Sequence, residues 1–124
     1  MKTTRRKTGD KGESLAAAFL RTKGFEILAR NVVTKASEID LVCREGDMLV
    51  FVEVKTRRGT EFGYPEESVT QSKRRHLAMA AHQYLQQHRL ESTHWRLDAV
   101  TVLEKGEGQP EILHFEAIDG GDGG

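Results

Sequence analysis

Between Glu13 and Leu20, apolar side chains return at Leu15, Ala18 and Phe19, with Ala16 and Leu20 more loosely beside them. That spacing is helical, and Gly24 follows where a left-handed C-terminal cap is expected, so "ESLAAAFLRTKG" predicts a first helix. The period then shortens. "FEILARNVV" has the composition of a strand, and "SEIDLVCREGDMLVFVEVK" (Ser37–Lys55) reads as two strands joined by a turn. "TRRGTEFGYPEE" predicts a loop, with two glycines, a proline and few apolar anchors. A longer helix is predicted from Gln71 to Arg89, with Leu77, Ala81, Tyr84, Leu85 and His88 on one face. "WRLDAVTVL" is apolar on both faces, as a buried parallel strand requires, and "EILHFEAI" alternates like an edge strand. The order α-β-β-β-α-β-β puts three strands in a meander. A crossover helix then returns a later strand parallel to one of them. The fold class is α/β, a mixed sheet flanked by helices.

The hairpin carries the chemistry. With Gly46 and Asp47 as a two-residue loop, facing residues have numbers summing to 93. Asp40 then faces Glu53, Glu38 faces Lys55, and these four share one side of the sheet. Ile39, Leu41, Cys43, Val50, Val52 and Val54 take the other side, a split that a slip of one residue would destroy. Toward the turn, the acidic side also carries Val42, Leu49 and Phe51, which need cover from a helix. The carboxylates therefore sit at the end of a covered surface, in a partly desolvated cleft. Two like charges about 5 Å apart repel by roughly 3 kcal/mol at an effective dielectric near 20. Three compensations are open: Lys55 as counter-charge, a proton shared between the carboxylates, or a divalent cation. Asp40, Glu53, the backbone carbonyl of Val54 and waters would supply the hard oxygen donors that Mg²⁺ (or Mn²⁺) takes. Such an ion suits phosphodiester hydrolysis, because it polarises the phosphoryl oxygen and activates a bound water. Lys55 would orient that water or stabilise charge developing on the phosphate.

Length and charge narrow the setting. A chain of 124 residues is read as one domain over 12–118, with a flexible basic arm over 1–11 and a disordered tail over 119–124. Formal net charge is zero, so no global field draws the protein onto nucleic acid. Local basic runs at Lys55–Arg58 and Lys73–Arg75 remain, against an acidic C-terminal stretch. One cysteine, Cys43, rules out an internal disulfide framework, and no apolar run is long enough to cross a bilayer. Without a secretory h-region, the expected compartment is the cytoplasm, with no membrane partner. The five histidines show no metal-ligand spacing; Arg96 and Asp98 read as a structural ion pair, and Tyr64 and Trp95 as packing residues.

An acid followed by Glu-x-Lys on the next strand, in this element order, resembles the PD-(D/E)XK nuclease superfamily. "GDKGESLAAAFLRTKGFEILARN", "EIDLV", "VFVEVKTR", "FGYPEESVTQSKRRHLAMAAHQYL" and "RLDAVTV" together resemble the YraN family of predicted endonucleases, from about Gly9 to Leu103. The resemblance implies a restriction-endonuclease-like fold and metal-dependent cleavage of DNA, including branched or processed DNA. A non-catalytic nucleic-acid-binding or scaffolding protein on the same fold is the alternative. Asp40, Glu53 and Lys55 match the catalytic triplet. Glu13 matches the helix-borne acid of Holliday-junction resolvases in this superfamily, although an acid near a helix start also satisfies the dipole. Glu38 and Gln71 are supporting candidates, and Arg57, Arg58, Lys73, Arg74 and Arg75 are candidate nucleic-acid contacts. Cations crowding a helix start invite an anion such as a phosphate backbone. Ser37 stands where the family pattern usually has glycine. By analogy with enzymes that cut two strands, the resemblance also admits a homodimer.

Overall fold

The computed structural model describes residues 4–58 and 69–118, with side chains from Lys11 onward. Among the described residues, seven elements run in the expected order: α1 (Thr4–Thr22), β1 (Glu26–Val33), β2 (Glu38–Glu45), β3 (Met48–Arg58), α2 (Gln71–Gln87), β4 (Trp95–Glu104) and β5 (Glu111–Phe115). The strands form one sheet in the order β1-β2-β3-β4-β5, parallel between β3 and β4 and antiparallel elsewhere. β4 is the buried parallel strand and β5 an edge, as their patterns predict. The hairpin register holds from Glu45–Met48 to Leu41–Val52. Gly46, at φ 61°, takes the position where a side chain would be strained. The centre of the expected loop, together with Tyr64 and residues 119–124, lies outside the described residues.

Among the described residues, each face of the sheet carries one helix. Leu41, Cys43, Val50, Val52 and Val100 pack with Ala16, Ala17 and Leu20 of α1. Val42, Leu49, Phe51, Trp95, Leu97 and Ala99 pack with Leu77, Ala80, Ala81, Tyr84 and Leu85 of α2. Trp95 is core, edge-on to Phe51 at 5.8 Å. Gly24 (φ 93°) closes α1 as expected, with the Phe25 N–H reaching back to the Leu20 carbonyl at 3.1 Å.

Four expectations need correction. Helix α1 begins at Thr4, well before the start expected at Glu13. That stretch has no apolar stripe to announce a helix, yet it contains no proline, and glycine costs a helix only about 1 kcal/mol. The buried face of α1 is Gly12, Glu13, Ala16, Ala17 and Leu20, whereas Ala18 is exposed and Leu15 and Phe19 are half-buried. Small residues face the sheet because the helix comes very close: a Cβ at Gly12 would collide with Oγ1 of Thr56. Helix α2 ends at Gln87, leaving His88 as an exposed C-cap stacked on Tyr84 at 4.1 Å. Ile39 also departs from its expected side: it joins the α2 cluster while Leu41 remains with α1.

Candidate active site

The site forms where β2 and β3 part. A two-residue hairpin closes on a hydrogen-bonded pair, here Glu45–Met48, and every second pair repeats it, down to Leu41–Val52. The next such bond would run from the Val54 N–H to the Ile39 carbonyl. Instead Oδ2 of Asp40 accepts that N–H at 2.8 Å, so a side chain replaces a rung of the ladder. Burial, then the charge of Glu53, push the Asp40 carboxyl up to about 8 against the pull of the Val54 N–H. Glu13 adds to the upward push, and Asp40 is in carboxyl–carboxyl contact with Glu53. Three acids from α1, β2 and β3 therefore sense one another in a desolvated gap.

Two lysines answer Glu53, which is itself buried. Lys55 Nζ lies 3.0 Å from Glu53 Oε2, and Lys73 Nζ reaches the same oxygen from α2 at 3.9 Å. Lys73 also donates to Ser37 Oγ at 3.4 Å, which gives the serine at this position a contact that glycine could not make. Thr70 caps α2 by accepting the Lys73 N–H at 3.1 Å. Part of the anion expected at this helix start is thus supplied by the protein's own carboxylate. Glu13, also buried, faces Arg30 of β1, whose guanidinium nitrogen lies 3.6 Å from Glu13 Oε1 and donates to Ser14 Oγ at 3.2 Å.

The remaining candidates separate from this centre by degrees. Glu38 faces Val33 of β1, and the β2–β3 ladder ends before Glu38 could face Lys55. Gln71 is the exposed first residue of α2; Arg74 and Arg75 follow Lys73 on that helix. Arg57 is half-buried, with its guanidinium 3.5 Å from the Thr56 carbonyl. Arg58 turns instead to Glu104 at 3.2 Å, which Lys11 also approaches at 3.7 Å, beside a separate cleft of about 630 Å³. Arg30 was not among the sequence candidates, because a lone arginine on an edge strand reads as solvated surface.

Among the described residues, no three His, Cys, Asp or Glu side chains converge as a ready coordination set. Two carboxylates and a neighbouring backbone carbonyl are nonetheless the donors Mg²⁺ uses when it keeps several waters. The donor chemistry of Asp40, Glu53 and Val54 fits such an ion.

The model of the uncharacterised protein family UPF0102 matches residues 12–102, which span Glu13, Arg30, Asp40, Glu53, Lys55 and Lys73. The chain belongs to UPF0102. A UPF0102 protein of Syntrophotalea carbinolica is 45% identical over 104 residues, covering 84% of each chain. Another UPF0102 protein, from Caldicellulosiruptor saccharolyticus, is 44% identical over 114 residues, covering 92% of this chain and 95% of its own. No described helix is long and apolar enough to cross a membrane.

Proposed function

We propose that this UPF0102 chain is a Mg²⁺- or Mn²⁺-dependent nuclease of the PD-(D/E)XK type, hydrolysing phosphodiester bonds in DNA. The observation that carries the reading is the half-buried Asp40 carboxyl in contact with Glu53, with the Lys55 ammonium 3.0 Å from Oε2 of that acid. A structural ion pair would not need a second carboxylate; a cation site does. Asp40, Glu53 and the Val54 carbonyl would hold the ion, which supplies charge for the phosphoryl oxygen and a more acidic bound water. Lys55 stands beside these ligands, placed to steady a nucleophilic water or the negative charge of the phosphate. Glu13 adds negative charge from the α1 side, while Arg57, Arg74 and Arg75 offer a basic rim for a polyanion. Branched or processed DNA is the proposed substrate class, and a homodimer the proposed arrangement for cutting two strands.

Linear, flapped, four-way and single-stranded DNA should be incubated with Mg²⁺, with Mn²⁺ and with EDTA. Cleavage is expected only with metal, and Asp40→Ala and Lys55→Ala should each lose roughly 10²–10³-fold. Melting supplies a readout that does not depend on turnover. Mn²⁺ at about 100 times its Kd should stabilise the wild type by roughly 2.7 kcal/mol, and this gain should vanish in Glu53→Ala. Tight DNA binding with no turnover under any metal condition would favour the non-catalytic scaffold instead.

A further inference from the structure

Beyond the register shift between Ile27 and Ala29, strands β1 and β2 both change phase between the Arg30–Leu41 and Val32–Ile39 pairs. On β1, Ala29 packs in the α2 cluster, Arg30 reaches α1, and Val32 is back in the α2 cluster. On β2, Val42 is in the α2 cluster, Leu41 in the α1 cluster and Ile39 in the α2 cluster again. Strict alternation would put Ile39 with Leu41, and Val32 with Arg30. Arg30 pairs with Leu41 and Val32 with Ile39, so Asn31 and Asp40 lie at the position between them, where the ladder skips a pair. Asn31 has φ 55°, a left-handed backbone inside a strand. Asparagine tolerates that conformation better than most residues, and a β-branched side chain does not. One left-handed residue thus accounts for the change of phase in its own strand, at the position where the Asp40 side chain leaves the pleat for the Val54 N–H.

We propose that Asn31 and Arg30 are positioning residues: the left-handed turn at Asn31 frees Asp40 to face Glu53 and aims Arg30 at Glu13. The edge strand then belongs to the site without touching the reacting atoms. What Asp40 and Glu13 accomplish rests on the hydrolytic reading; how they are placed does not.

The test uses the full chain and two readouts. The first is kcat and KM on the DNA that the wild type cleaves fastest. The second is the ¹³C carboxyl resonances of Asp40 and Glu13 in metal-free protein. Asn31→Gly, which keeps the left-handed backbone, should match wild type in both. Asn31→Val should lower kcat roughly 10–100-fold at unchanged KM and move both resonances. Arg30→Ala should do the same for kcat while moving mainly the Glu13 resonance, and Arg30→Lys should recover part of each effect. If Asn31→Val unfolds, the Asn31→Gly and Arg30 variants still decide. Unmoved resonances in Arg30→Ala, or a loss in Asn31→Gly as large as in Arg30→Ala, would overturn the proposal. If the wild type cleaves nothing while the resonances respond as expected, the hydrolytic reading falls and the positioning role stands.

Discussion

A carboxyl group placed between β2 and β3 loses water and gains an acidic neighbour, and both changes favour its neutral form. Asp40 is therefore pushed up to about 8 from an ordinary 3.8. Between those values the folded chain holds a proton that the unfolded chain has released, so stability falls as pH rises through this interval. Asparagine copies the neutral form and can still accept the Val54 N–H. Asp40→Asn should therefore leave Tm unchanged near pH 4. In EDTA above pH 8 it should raise Tm by roughly 3–5 °C, equivalent to about 1 kcal/mol for a domain of this size. Melting curves across pH would check this, and a gain that is the same at both ends would refute the assignment. The sequence made Asp40, Glu53 and Lys55 legible because strand alternation and a two-residue turn leave little freedom of register. It did not show that Asp40 replaces a ladder bond, since that depends on a pleat broken at Asn31. It also hid the second lysine on Glu53, because Lys73 reaches that oxygen from a helix whose docking no local pattern specifies.

Elements meet here through small contacts that hydropathy does not mark. Gly12 lies inside α1, where alanine would ordinarily gain about 1 kcal/mol of helix propensity. Its position against Thr56 reverses the expectation, because the added methyl would collide with Oγ1 on a packed strand. Overpacking of this kind costs about 1–3 kcal/mol, which outweighs the propensity gain over most of its range. Gly12→Ala should thus destabilise in urea melts, and Thr56→Ala in the same chain should relieve it. The double-mutant cycle should show a coupling of about 1–3 kcal/mol. Additive effects would mean that the helix does not approach β3 so closely. The contact bears on the site as well, since Glu13 is the next residue and is buried by the same approach. The helix over Glu13–Leu20 was legible from its apolar residues. Its first turns and its true buried face were not, because glycine and alanine give close packing without hydrophobic contrast.

At the scale of the whole molecule, a second buried acid shows what a structural role looks like here. Asp98 of β4 is fully buried. It accepts from Arg96 Nε at 2.9 Å and from the Ala117 N–H at 2.9 Å, and pairs with His114 Nε2 at 2.8 Å. His114 is tied in turn to Lys23, just past the end of α1, at 2.7 Å. Arg96 also reaches Glu45 at 3.1 Å, beside the hairpin turn. The network therefore fastens β2, β4, β5 and the end of α1 around a single carboxylate. The spacing of Arg96 and Asp98 already read as an ion pair; the contributions of His114, Ala117 and Lys23 come from distant parts of the chain and needed the fold. Burial alone would raise the Asp98 carboxyl, but the bonds from His114, Arg96 and Ala117 outweigh it and hold it below the ordinary 3.8. The sign is opposite to that of Asp40. Asp98 contributes stability that is complete above its ordinary value and is lost as pH falls through its lowered one. Asp98→Ala removes the fully buried partner of Arg96, leaving it only the more exposed Glu45 and Glu116, and should cost about 3–5 kcal/mol at pH 7. That penalty should shrink in acid, whereas the effect of Asp40→Asn grows in alkali. Where Asp98→Ala remains folded, its metal-dependent cleavage per folded molecule should match wild type, because the network touches none of Asp40, Glu53 or Lys55. A chain that keeps its fold but loses metal-dependent cleavage on Asp98→Ala would move the catalytic centre to the network around Asp98.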